Sequence, residues 1–157
     1  MRFSRDMFLL SFYLRGIPFV DLVHLRKTDV KHNTIYYYRH KTRQQLSVHI
    51  ESYAAQIINR YKNEAASSPY LLLILSLTGE DGYRQYKSAL RLYNQHLHTL
   101  SKMLRLSIPL TSYVARHSWA TTAKDEGVAI SVISESLGHT SEKVTHVYLA
   151  SFDNNAM

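Results

Sequence analysis

Apolar residues recur at Phe3, Met7, Leu10, Phe12 and Leu14, a spacing close to one helical face, and predict an opening helix over Phe3–Leu14. Gly16 and Pro18 interrupt it. Pro18 suits a first helical turn, so a second helix is expected to run to Leu25. The period then changes. Thr34–Arg39 is β-branched and aromatic, His40-Lys41-Thr42-Arg43 is a polar interruption, and Leu46–Ile50 resumes the pattern, which predicts a β-hairpin. No Asn-Gly or Asp-Gly separates the two runs, so the turn is expected to exceed two residues. Glu51–Lys62 is helix-like and Ser67-Ser68-Pro69 is a break. The apolar run Tyr70–Leu77 fits a short buried strand or a helical turn equally well. Gly79–Gly82 reads as a loop before a long helix, Tyr83–Leu104. Thr111 is a candidate cap for a helix over Ser112–Glu126, ended by Gly127. Ile130–Leu137 is a further helix ended by Gly138, and Thr140 or Ser141 can cap a last helix through Tyr148. The expected fold is mainly α with a small antiparallel β-hairpin or sheet, in a single domain over 1–157.

Composition narrows the function classes. The 157 residues are 45% hydrophobic and 20% charged, which fits one ordinary domain with a sizeable core and excludes a disordered chain. Cys is absent, which removes disulfides, thiolate metal sites and a cysteine nucleophile. No apolar run approaches the ~18 residues of a membrane span. The apolar patch near Arg2 and Arg5 is broken by Asp6, with no small-residue cleavage site after it, so a cytoplasmic protein without a signal peptide is expected. Nineteen Lys and Arg against twelve Asp and Glu give a net charge of +7. A basic domain attracts polyanions, nucleic acid first among them, although charge alone fits any basic soluble protein. Arg84, Lys87 and Arg91 share one face of the long helix, as a phosphate-facing stripe or a solvated surface. His96 and His98, with His32, His40 and His49, have neither accompanying Cys nor zinc-site spacing, and no metal or other cofactor is expected.

The carboxy-terminal third carries a more specific signal. The run Tyr113-Val114-Ala115-Arg116-His117-Ser118-Trp119-Ala120-Thr121, then Leu137-Gly138-His139, then Tyr148 nine residues after His139, resembles the ordered boxes of the tyrosine recombinase (phage-type integrase) family. Upstream, Arg39-His40-Lys41-Thr42 resembles that family's lysine hairpin, and Tyr13-Leu14-Arg15-Gly16 through Asp21-Leu22 resembles its box I. The similarity spans nearly the whole chain and is nearest to a branch found on mobile elements of gut anaerobes. It implies DNA cutting and rejoining through a 3′-phosphotyrosine, with no metal and no ATP, because the bond energy stays in the protein–DNA ester. Tyr148 would be the nucleophile. Arg116 and Arg15 would clamp the non-bridging phosphate oxygens, which guanidinium forks suit. Lys41 would protonate the leaving 5′ oxygen. His139 would hydrogen-bond a phosphate oxygen, and His117 would buttress the site or manage the tyrosine proton. Arg39, Arg43 and Lys143 are candidates for DNA-backbone contacts.

Two positions depart from the family pattern. Tyr113 stands where a His is usual; a phenol can donate to a phosphate oxygen but is a poor base near neutral pH. Pro18 stands at the usual box I arginine, with Arg15 three residues earlier. The resemblance implies the carboxy-terminal catalytic domain of a longer integrase, without its core-binding and arm-binding domains. The expected partner is double-stranded DNA, bound by a tetramer in the full-length protein, while the isolated domain is compatible with a monomer. Only Leu149–Met157 follows Tyr148, a tail too short to predict docking into a neighbouring protomer. The rival readings are a non-catalytic DNA-binding protein, a topoisomerase or telomere resolvase using the same tyrosine chemistry, and a metal-dependent nuclease.

Overall fold

The computed structural model describes the backbone of residues 1–153 and the side chains of residues 1–150; the end of the carboxy-terminal tail lies outside the described residues. Helix α1 (Arg2–Tyr13) buries Met7 and Leu10, which lie three residues apart and so share one face. Gly16, with φ +69, turns the chain into the short helix α2 (Phe19–His24), for which Pro18 is the N-cap residue rather than a first-turn residue. A 3₁₀ turn at Lys27–Asp29 leads to β1 (Val30–Lys31), β2 (Thr34–Tyr38) and β3 (Gln45–His49), one antiparallel sheet in that order. Ile35 pairs with Val48 and Tyr37 with Leu46, and all four face the core. Tyr36, Tyr38, Ser47 and His49 alternate outward, as the period of two requires. The hairpin and its long turn are as expected; the two-residue strand β1 had no sequence signal.

Helix α3 (Ser52–Arg60) follows. Tyr70–Leu77 is neither strand nor helix. It makes one isolated bridge, Tyr70 to Arg26, and otherwise runs as turns and irregular chain that bury Leu72 and Leu75. Helix α4 (Gly79–Met103) begins four residues earlier than the glycines suggest, with Glu80 and Asp81 in its first turn, where acidic side chains favour the positive end of the helix dipole. Its Tyr93 stacks on Phe19 with ring centroids 4.6 Å apart. Helix α5 (Val114–Asp125) starts two residues later than expected. Tyr113 is its N-cap residue, and Thr111 contributes only a carbonyl, which accepts the Val114 amide. Helix α6 (Ile130–Leu137) ends at Gly138 in the left-handed conformation, and α7 (Glu142–Asp153) runs on past Tyr148. No helix among the described residues is long and apolar enough to cross a membrane.

Two apolar clusters result. The larger is built from α1–α4 and the sheet and includes Met7, Leu10, Leu14, Leu22, Ile35, Val48 and Leu97. The smaller holds Ala120, Ile133, Leu137 and Leu149 between α5, α6 and α7. The seam between them is where the chemistry-bearing side chains collect.

Candidate active site

Arg116 is the centre of that seam. It lies on the inner face of α5 and is only 3% exposed. Nη1 donates to the Gly16 carbonyl at 2.9 Å, and Nη2 donates to the Leu137 carbonyl. One guanidinium thus ties the α1–α2 turn of the large cluster to the end of α6 in the small one. Gly16 makes this possible, because a Cβ there would lie 2.8 Å from Arg116 Cα. Burial, and then the charge of Arg39, hold the Arg116 pKa down to about 10, so the group stays cationic at neutral pH.

His139 follows directly from the α6 terminus. Its Nε2 stands 3.4 Å from Arg116 Nη2, and its Nδ1 stands 2.8 Å from Thr145 Oγ1. Arginine has donors only, so the lone pair of His139 belongs on Nε2 and the hydrogen on Nδ1, directed at Thr145. A hydroxyl can reverse its role, so Thr145, fully buried on α7, also supports the opposite tautomer. Burial and the surrounding cations Arg116, Arg39 and Lys41 push the His139 pKa down to about 4. Burial and Arg116 do the same to His117, again to about 4. Both imidazoles are therefore neutral near pH 7.

Tyr148 is half-buried on α7 with its ring 4.5 Å from that of His117 and 5.5 Å, edge-on, from that of His139. Burial raises its pKa, while the charge of Arg116 and a hydrogen bond from it pull the other way. The phenol is neutral at physiological pH, and its proton must be taken for it to act as a nucleophile.

Lys41 is exposed in the β2–β3 turn, which Thr42 docks onto the small cluster by donating to the Gly138 carbonyl at 3.2 Å. Tyr113 lies at the rim, 59% exposed, with its ring 5.8 Å from His117. Arg15 is exposed at φ +57, beside the Gly16 that receives Arg116. Arg43 and Lys143 are exposed. Arg39 is not on the outer face with Arg43; its side chain turns inward and is 8% exposed. Arg84 is ion-paired with Glu80 and Asp81 rather than presented alone on α4. His96 bonds Ser4, and among the described residues no three His, Cys, Asp or Glu side chains cluster as metal ligands.

Sequence reasoning thus named Arg116, His139 and Tyr148, which converge, and Lys41 and Arg15, which border them. It missed Thr145. The available signal was position, since Thr145 precedes Tyr148 by three residues and shares its helix face.

The architecture resembles solved structures at low sequence identity. It matches XerA recombinase with a TM-score of 0.67 at 21% identity, over 93% of this chain and 52% of that one. It matches a lambda integrase dimer bound to a COC′ core site with 0.59 at 15% identity, over 94% of this chain and 52% of that one. The Tn1549 transposon integrase in complex with transposon right end DNA gives 0.59 at 16% identity, over 90% of this chain and 52% of that one. The chain therefore spans about half the length of these structures. No curated protein matches it in sequence. The phage integrase family model matches residues 5–155, nearly the whole chain, and the protein belongs to that family.

Proposed function

We propose that this chain is the catalytic domain of a tyrosine site-specific recombinase, acting on double-stranded DNA as the carboxy-terminal part of a longer cytoplasmic integrase that assembles as a tetramer. The observation that carries the reading is the convergence of Arg116 from α5, His139 from the turn after α6 and Tyr148 from α7 on one seam.

In the proposed step, Arg116 grips a scissile phosphate and Arg15 reaches it from the rim. Tyr148 Oη attacks phosphorus while neutral His117 takes the phenolic proton. The Oη–P bond forms, the P–O5′ bond breaks, and Lys41 gives a proton to the leaving 5′ oxygen. His139, in the tautomer with its hydrogen on Nε2, donates to a non-bridging oxygen, while Nδ1 accepts from the Thr145 hydroxyl behind it. Tyr113 orients the phosphate from the rim, and Arg43 and Lys143 hold the flanking backbone. One phosphodiester replaces another, so reversal onto a different strand needs no energy source.

The test is a nicked duplex whose downstream oligonucleotide diffuses away after cleavage. A covalent protein–DNA adduct is expected, undiminished by chelator and abolished in Tyr148→Phe. DNA binding without an adduct would favour a non-catalytic DNA-binding protein, and loss of the adduct in chelator would favour a metal-dependent nuclease. Supercoil relaxation without exchange between paired sites would favour a topoisomerase on the same chemistry.

A further inference from the structure

Buried charges in this molecule are treated in two ways. Asp6 on α1 is satisfied by Arg5, Arg60 and the Tyr61 hydroxyl, so its burial is structural. Arg39, just past β2, is different. Its side chain is 8% exposed, yet Nε and Nη1 have no hydrogen-bond partner. The nearest carboxylate oxygen, Asp21 Oδ2, is 3.8 Å from Nη1, beyond hydrogen-bonding range, and Asp21 gives its other oxygen to the His40 amide at 2.8 Å.

The place of Arg39 is as telling as its missing partners. A Cβ on Gly138, with φ +64, would lie 2.7 Å from Arg39 Cδ, so the guanidinium stem passes against the residue that precedes His139. Its charge is felt by Arg116, His139 and Tyr148 together. Two buried guanidiniums therefore face the same seam, with one carboxylate, Asp21, beside Arg39. Leaving buried donors unmade and like charges adjacent costs stability, and an anion entering the seam removes both penalties. Pro18 holds the place where the family pattern puts its first arginine, so the seam lacks a guanidinium from α2.

We propose that Arg39, reaching in from the hairpin side, is a further guanidinium clamp on the scissile phosphate, the buried partner of Arg116 where Arg15 reaches only from the rim, and hence a catalytic residue rather than a contact to flanking DNA backbone. This rests on the reading of the seam as a phosphodiester site. The approaching phosphate takes the unpartnered Nε–H edge of Arg39 from one side and Arg116 from the other, while Nη1 stays toward Asp21. Asp21 keeps the Arg39 fork aligned, and Gly138 leaves room for its stem.

The experiment compares the parent chain with Arg39→Gln and Arg39→Lys in two arms. In the first, inorganic phosphate is titrated against sodium chloride at matched ionic strength and the melting temperature is followed. Phosphate is expected to stabilise the parent, with about tenfold weaker apparent affinity in Arg39→Gln. In the second, covalent adduct formation is timed on a nicked duplex with either a phosphodiester or a neutral methylphosphonate at the scissile position. Arg39→Gln is expected to be about 10²–10³-fold slower than the parent on the phosphodiester, with most of that gap closed on the methylphosphonate, because no second anionic oxygen then needs a cation. Equal phosphate stabilisation in parent and Arg39→Gln, or the same deficit on both substrates, would overturn the proposal. Should Arg39→Gln lack a melting transition, Arg39→Lys decides, and parent-like behaviour in both arms counts against a forked clamp. Phosphate binding lost in the variant, with no adduct even from the parent, would retain Arg39 as an anion clamp and sink the recombinase reading. An adduct unaffected by either variant would do the reverse.

Discussion

The region from α1 to α4 and the trio α5–α7 are held by different means. The first wraps a sheet with large side chains such as Met7, Leu10, Ile35 and Leu97, each 1% exposed or less. The second gathers a small cluster of Ala120, Ile133, Leu137 and Leu149, with Trp119, Ala123, Ile130 and Tyr148 half-covered around them. Burial of apolar surface contributes ~25 cal/mol per Å², so the trio has far less to hold it than the larger region. Much of what joins the two is polar, namely Arg116 to Gly16 and Leu137, and Thr42 to Gly138. The prospective nucleophile therefore sits on the element with less apolar packing, while Arg39 and Lys41 sit on or beside the hairpin that packs into the larger cluster. Such a division suits a reaction in which a tyrosine must approach and leave a phosphate held still.

The largest effect is expected where the seam is cut. Arg116→Ala removes the clamp and orphans two carbonyls. Adduct formation should fall by about 10²–10³-fold or more, and stability by about 1–3 kcal/mol in urea denaturation. Parent-like stability in that variant would mean that the two regions do not depend on this guanidinium. Gly16→Ala tests the same seam from the other side. A Cβ there meets Arg116 Cα at 2.8 Å and the backbone is left-handed, so a loss of about 2–4 kcal/mol is expected. Gly127→Ala is the matched control, left-handed with open space around it, and should lose only about 1–2 kcal/mol.

Acid should strike the small region first. His117 and His139 have folded-state pKa values pushed down to about 4, below the ordinary imidazole value. The unfolded chain therefore takes up protons before the folded one, and their contribution to stability is lost as pH falls from about 6.5 toward 4. Urea denaturation at stepped pH should show that loss, and His139→Gln should show less of it than the parent. An unchanged pH dependence would mean that His139 is not held neutral in the fold. The smallest change is Thr145→Val, which keeps the shape and removes the hydroxyl behind His139. About a tenfold slower adduct formation, with stability within about 1 kcal/mol, is expected. A variant as fast as the parent would remove Thr145 from the site.

The two regions also differed in how readily the sequence disclosed them. The hairpin was legible because β-branched and aromatic residues over Thr34–Arg39 and the apolar-rich run Leu46–Ile50 flank the polar interruption His40-Lys41-Thr42-Arg43, a composition that suits paired strands. Tyr70–Leu77 was not, since a continuous apolar run carries no period, and tertiary packing of Leu72 and Leu75 settled it as irregular chain. The start of α4 was hidden by Gly79 and Gly82, residues that more often mark loops. Among the chemistry-bearing groups, Arg116, His139 and Tyr148 were legible through their ordered spacing. The inward turn of Arg39 was not, because a side chain's direction at a strand end depends on what packs over it, here Gly138, almost a hundred residues away. Thr145 was overlooked for a similar reason, since a hydroxyl acquires a role only once a particular imidazole is placed against it.

In the proposed reaction one phenol, on helix α7, attacks phosphorus. The most direct measurement is to trap the adduct on a nicked duplex, digest the protein, and locate by mass spectrometry which of the twelve tyrosines carries the nucleotide remnant. The remnant should be on Tyr148. A remnant on any other tyrosine, or on a residue that is not a tyrosine, would contradict the account.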